Sequence, residues 1–218
     1  MSIELEDLSL LKELREEFPD GSSCAILGDC KIHNLSGIEE FKNVMNFKEV
    51  DTFDVNGNPS FKEDLNNLLD ESFHNRYDWV IDSGTMYCCF DTCTVWQNII
   101  NMLKDKGCIL HTGNLSGFYG RGFYSLSPSL FRDFYNANGF DIKMMGSKTR
   151  QQREWVKFDP KNTYLEEASD NAMSFAETSR GYIPLIPNDA MISCFATRST
   201  KVEFKKPIPQ HFIDTNGG

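Results

Sequence analysis

Positive charge is in short supply in this 218-residue sequence, where 22 lysines and arginines stand against 32 aspartates and glutamates for a formal net charge of -10. Extended binding to a phosphate backbone needs clustered Lys and Arg, so nucleic acid is not an expected partner. Long apolar runs are missing as well. No stretch approaches the roughly 18 residues that cross a bilayer. The opening MSIELEDLSLLKELREEF is acidic and amphipathic, so neither a membrane anchor nor a secretory signal is expected. A zinc site is disfavoured by a third absence: Cys88, Cys89 and Cys93 have no second C-x-x-C or C-x-x-H pair to complete four ligands, and no metal is assigned. The seven cysteines are odd in number and sit mostly in apolar runs, which suits reduced thiols in a cytoplasm better than a disulfide framework. Glycine, finally, is sparse where a cofactor loop would use it, since CAILGDC at residues 24–30 carries only Gly28.

What is present describes one sizeable core, with 40% hydrophobic and 25% charged residues. Leu5, Leu8, Leu11 and Leu14 recur at helical spacing in the first 20 residues, before Pro19, Asp20 and Gly21 end the helix. Strand and helix patterns then alternate. Cys24–Leu27 is an apolar strand, Leu35–Phe47 a helix, Glu49–Val55 a strand ending near Asp54, and Phe61–Leu69 a weak strand or turn. YDWVID at 77–82 is a buried strand broken by Ser83 and Gly84, followed by a helix over Thr92–Lys104 and a strand at Cys108–His111. Ser127 and Pro128 open a helix that Gly139 closes, and Phe140–Met145 resumes as a strand. Residues 146–190 interrupt the rhythm with a charged segment and a helix around Glu166–Glu177, either an insertion that covers the site or a surface excursion. MISCFAT at 191–197 supplies the last strand.

Such alternation predicts an α/β, Rossmann-like three-layer sandwich in a single domain, its mostly parallel sheet covered by helices on both faces. Ligands bind such sheets beyond the carboxyl ends of the strands. Gly28-Asp29, Asp54, Asp64 and Asp82-Ser83-Gly84 all fall at strand ends and so converge on one crevice. An acidic residue ending a second strand accepts hydrogen bonds from ribose hydroxyls, and Asp54 is suitably placed. Asp64, followed by Leu65, can meet the exocyclic amine of an adenine while a neighbouring backbone N–H reads the ring. Any one of these aspartates alone is as well explained as a cap or turn residue.

The segments YDWVIDSGTMYCCFD (77–91), NMLKDKGCILHTGN (101–114) and GFYSLSPSLFRDFYNANGFDI (122–142) resemble the class I S-adenosylmethionine-dependent methyltransferases. The likeness is narrower to bacterial methyltransferase-domain proteins reading D-x-V-I-D-x-G-T-x-E-H-x-F-D and later H-G-F-Y-x-F-S-P-x-x-F. That resemblance implies a seven-stranded sheet with an antiparallel last strand. It implies S-adenosylmethionine over the first, second and fourth strands, held by Gly28, Asp29, Asp54, Asp64, Leu65, Asp82, Ser83 and Gly84, with the acceptor above the fourth and fifth. Where the relatives carry Glu-His, this chain has Tyr87 and Cys88, and Arg121 replaces the later His.

His111, ending the fifth strand, is then the candidate base, with a packed core histidine as the equal alternative. Tyr87 is the second candidate catalytic residue, and Asn114, Arg121 and Tyr124 are candidates for an acidic or sugar-like acceptor. The expected activity is methyl transfer to a small molecule, sugar or glycan precursor. A methyltransferase-fold binding or regulatory protein without catalysis is the alternative. A further one is an SGNH-like hydrolase, with Cys30 of G-D-C as nucleophile and a partner sought near His211. The segment at 115–124, LSGFYGRGFY, reads as a mobile gate or acceptor loop, and Lys148, Arg150 and Arg153 as a solvated basic face.

Overall fold

The structure, a computed structural model, describes residues 2–117, 120–158, 174–178, 181–185 and 189–209. In chain order its strands are β1 (Ser2–Ile3), β2 (Ser23–Leu27), β3 (Lys31–Ile32), β4 (Glu49–Asp54), β5 (Phe61–Lys62), β6 (Tyr77–Ser83), β7 (Leu103–Asn114), β8 (Phe140–Thr149), β9 (Val156–Phe158), β10 (Ser174–Thr178), β11 (Gly181–Leu185) and β12 (Ala190–Arg198). The helices are α1 (Leu5–Glu17), α2 (Ile38–Val44), α3 (Thr92–Met102) and α4 (Pro128–Ala137). No helix among the described residues is long and apolar enough to cross a membrane.

The central sheet has the order β5-β4-β2-β6-β7-β12-β8-β9. β5, β4, β2, β6 and β7 pair in parallel, and β12 runs antiparallel between β7 and β8. The strand count therefore differs from the expected seven: Val156–Phe158 adds an eighth, antiparallel strand along the edge of β8. Every residue of β2 is buried, as parallel strands covered on both faces require. Side chains alternate between two cores. Ala25 and Leu27 join Val95, Trp96, Ile99, Phe131 and Phe134 under α3 and α4, while Cys24 and Ile26 join Leu8, Leu11, Leu14, Phe41 and Met45 under α1 and α2.

Several local expectations shift. The first helix starts at Leu5, which is 44% exposed, and it buries Leu10 beside Leu8, Leu11 and Leu14. Ahead of it, β1 pairs in parallel with β3. β8 continues through Thr149, so the excursion before β12 begins later than position 146. Residues 174–178 form a strand paired antiparallel with 181–185, against the helix expected over 166–177, whose remaining residues 166–173 lie outside the described ones.

α4 begins and ends where its sequence dictates. Ser127 Oγ accepts from Leu130 N at 3.2 Å, Pro128 occupies the first turn, and Gly139 follows with φ 72°. A Cβ at Gly139 would lie 2.4 Å from the Thr200 carbonyl oxygen.

Candidate functional site

The carboxyl ends of the parallel strands carry the candidate residues, in three groups. At the ends of β2 and β4, Gly28 turns with φ 103° and its N–H reaches Phe53 O at 2.7 Å. Asp29 N donates to Asp54 Oδ2 at 2.8 Å, Asn56 N donates to Asp54 Oδ1 at 3.0 Å, and Asn58 N donates to Asp29 Oδ2 at 2.9 Å. The two aspartates thus fasten the loop after β2 to the loop after β4. Each Asp54 oxygen has accepted one hydrogen bond and keeps a second lone pair.

Asp64 stands apart and exposed, accepting from Asn66 N and Asn66 Nδ2 at 2.9 and 2.8 Å. The Leu65 side chain is buried in the core, and its carbonyl accepts from Asn98 Nδ2.

The second group is a buried polar chain. Asp82 Oδ2 meets His111 Nδ1 at 2.9 Å, and His111 Nε2 meets the Tyr135 hydroxyl at 2.6 Å. Asp82 Oδ1 accepts from Thr85 N and Met86 N at 2.8 and 3.1 Å, which shapes the turn after β6. His111 is 0% exposed and packs on Trp96 and Phe131. The expected base is corrected accordingly: both ring nitrogens are engaged inside the core, leaving none directed at an acceptor. Tyr135, from α4, was not singled out in the sequence because a tyrosine at helical spacing among phenylalanines reads as packing. Burial drives its phenol well above the usual range.

The third group lines a cleft of about 520 Å³ formed by Ser83 at the end of β6, Gly84 after it, Tyr87, Thr112 of β7, Arg121, Lys148 of β8, and the N-terminal residues Ser2, Glu4, Glu6 and Asp7. Ser83 Oγ donates to Ser2 O at 3.0 Å and lies 3.2 Å from Thr112 Oγ1, so β1 is tied over the ends of β6 and β7. Tyr87 is half-buried, and burial raises its phenol pKa. Its ring fills a slot that side chains on the neighbouring glycines would close. A Cβ at Gly122 would lie 2.4 Å from the ring, and one at Gly84, where φ is 87°, would lie 3.3 Å away.

The expected gate is docked on this turn by its second half. Phe123 N and Tyr124 N donate to Tyr87 O, and the Tyr124 hydroxyl donates to Phe90 O. Asn114, ending β7, braces the same loop: Nδ2 reaches Tyr124 O and Ser125 Oγ at 3.4 Å, while Oδ1 is buried with no partner among the described residues.

The N-terminal acids are what sequence reasoning missed. Glu6 pairs with Lys148 at 3.4 Å and Arg153 at 3.2 Å. Lys148, expected on a solvated face, is 5% exposed. The only local sign was an acidic first helical turn, which by itself indicates capping.

Cys30 lies 7% exposed with its thiol toward Leu27 O, and burial pushes its pKa up to about 12. A nucleophilic cysteine needs the reverse, a stabilised thiolate, so the hydrolase alternative loses its nucleophile. His211 lies outside the described residues.

The sequence matches no protein-family model and no curated protein. Solved structures do resemble it. N-methyltransferase NodS from Bradyrhizobium japonicum WM9, in complex with S-adenosylhomocysteine, aligns with TM-score 0.55 and 10% identity over 89% of this chain and 87% of that one. Burkholderia thailandensis 1,6-didemethyltoxoflavin-N1-methyltransferase, with 1,6-didemethyltoxoflavin and S-adenosylhomocysteine bound, aligns at 0.52 and 9% over 88% and 78%. The YcgJ protein of Bacillus subtilis aligns at 0.51 and 9% over 88% and 99%. At such identities the likeness is one of architecture, and the sheet order agrees with it: the chain has the class I S-adenosylmethionine-dependent methyltransferase fold.

Proposed function

We propose that the protein binds S-adenosylmethionine at the carboxyl ends of β2, β4 and β6 and methylates a small molecule held in the adjoining cleft. One observation carries the reading: Gly28, Asp29, Asp54, Ser83 and Gly84 gather along the same sheet edge as the cleft, in a fold whose solved examples include complexes with S-adenosylhomocysteine. The residues present fit a nucleoside. The open lone pairs of Asp54 suit a ribose diol, Asp64 suits an exocyclic amine, and Gly28 and Gly84 leave backbone room for close approach. Asp82 serves from within, since it holds the Thr85–Met86 turn that presents Ser83 and Gly84.

When bound, S-adenosylmethionine supplies an electrophilic methyl group, and the chain's own contribution to such a displacement is chiefly orientation. Tyr87 and Arg121 flank the acceptor's path, and Tyr124 and Asn114 hold the loop that carries Arg121. The excursion before β12 contributes Arg150 and Arg153 to the cleft wall, in keeping with a covering role for it within a single methyltransferase-like domain.

A second reading, a binding or regulatory protein without transfer, draws support from the sealed position of His111. Calorimetric titration with S-adenosylhomocysteine tests the donor site. Micromolar binding that weakens at least about tenfold in Asp54→Asn is expected; absence of binding at millimolar ligand would sink the methyltransferase reading and leave the second. Methyl incorporation into a small-molecule extract then separates them.

A further inference from the structure

The cleft wall contributed by α1 holds an unfinished group. Asp7 is 2% exposed and borders the cleft, yet Oδ2 accepts only Glu4 N, at 3.2 Å, and Oδ1 has no hydrogen-bond partner among the described residues. Burial pushes its pKa up to about 6. Lys148 from β8, the Glu4 backbone N–H and the Trp155 indole pull the other way, and the Glu4 carboxylate adds to the rise. The buried Trp155 Nε1 makes no hydrogen bond of ordinary geometry among the described residues, yet it lies close enough to Asp7 to lower its pKa as a hydrogen-bond donor does.

Lys148 does not neutralise Asp7 directly, because its ammonium pairs with Glu6 at 3.4 Å and lies 5.4 Å from the Trp155 ring centre. Glu6 takes Arg153 as well. Glu4, Glu6 and Asp7 share the cleft with Lys148, Arg150 and Arg153, but Glu6 and Glu4 are the acids that pair, with Lys148, Arg153 and His33, and Asp7 makes no ion pair among the described residues. A buried carboxylate oxygen left unmatched is costly, and natural proteins retain such groups where a ligand completes them. A hydroxyl would supply the missing hydrogen bond alone, whereas a protonated nitrogen supplies the bond and the missing charge. The exposed Arg121 lines the same cleft with the opposite sign.

We propose that the cleft selects a zwitterionic amine, its nitrogen donating to Asp7 Oδ1 and its anionic group facing Arg121. The inference deepens the methyltransferase reading and rests on it only for calling this compound the methyl acceptor.

The test is a calorimetric and NMR titration with ω-amino carboxylates of graded chain length, run with and without S-adenosylhomocysteine. The controls are the same carboxylic acids lacking the amine and the same amines lacking the carboxylate. At least one zwitterion is expected to bind at pH 7.5, at least about tenfold more weakly in Asp7→Asn, and more weakly again in the native protein as pH falls through about 6 and the carboxyl protonates. Should Asp7→Asn fail to fold, Arg121→Gln carries the test: it is expected to weaken zwitterions and leave simple amines unchanged. Donor binding with no amine bound, or equal binding by native and Asp7→Asn protein, would overturn the inference. Amine binding without donor binding would leave the Asp7 site standing and remove the methyltransferase reading.

Discussion

Two aspartates at opposite ends of the sheet show how differently its edges are built. Asp78, near the amino end of β6, accepts from Ser22 N, Ser23 N, Ser23 Oγ and Lys104 Nζ at 2.8, 3.0, 2.8 and 3.1 Å. Burial works to raise its pKa, but those donors hold it down at about 2. Asp7, at the carboxyl edge, has one donor of ordinary geometry among the described residues, and burial pushes its pKa up to about 6. The same contrast extends to neighbours. Arg15 spends its guanidinium on the carbonyls of Met45, Phe18, Asp20, Gly21 and Asn46 and lies over the rings of Phe47 and Trp79, although a small cavity opens beside it. Asn114, at the other edge, keeps an oxygen unmatched among the described residues. Around Asp78 and Arg15 the polar groups are satisfied by the chain itself, whereas around Asp7 and Asn114 polar atoms are left without partners among the described residues.

The contrast can be broken from either side. Arg15→Met should have the largest effect, because it strands several carbonyls at once; a loss of about 3–5 kcal/mol is expected in urea unfolding, and a loss under about 1 would mean that the amino edge is not saturated by this residue. Asp7→Asn should act in the opposite direction. A carboxyl whose pKa rises from 3.8 to about 6 on folding destabilises the fold once it ionises, so the penalty is absent below pH 4, grows between pH 4 and 6, and is full above. The variant should therefore be more stable than the native protein by about 2–3 kcal/mol at pH 8 and nearly equal to it at pH 4. An offset that ignores pH would refute the buried charge.

Asp78→Asn should give the smallest change. Its lowered pKa stabilises the fold above pH 4, a benefit lost as pH falls through 2. After allowance for solvent screening the variant should lose about 1–2 kcal/mol at pH 7, with the gap closing towards pH 2. Acid titration of both proteins by circular dichroism checks the convergence.

The sequence displays the finished parts of the molecule better than the unfinished ones. CAIL, YDWVID and MISCFAT announce buried strands because strands in the interior of a sheet covered by helices on both faces demand apolar residues on both. The Ser127-Pro128 start of α4 and its Gly139 stop are equally legible, being local backbone chemistry. Asp54 and Ser83-Gly84 could be placed because strand ends in this topology share an edge.

Tertiary placement hid the rest. Nothing near Asp7 or Lys148 in sequence shows that β1 pairs with β3 and carries the first turn of α1 to the carboxyl edge, against β8. His111 was visible as a strand-end histidine, but its partner Tyr135 approaches from α4 and seals it. The short β9 escaped because three residues inside a charged stretch carry too little periodicity to read.

The claim that the carboxyl edge is the binding edge is tested most directly by hydrogen–deuterium exchange with and without S-adenosylhomocysteine. Slower exchange is expected at residues 27–30, 54–57 and 83–87, with 20–23 and 104–108 at the amino edge unchanged. Protection confined to the amino edge, or none anywhere at saturating ligand, would contradict it.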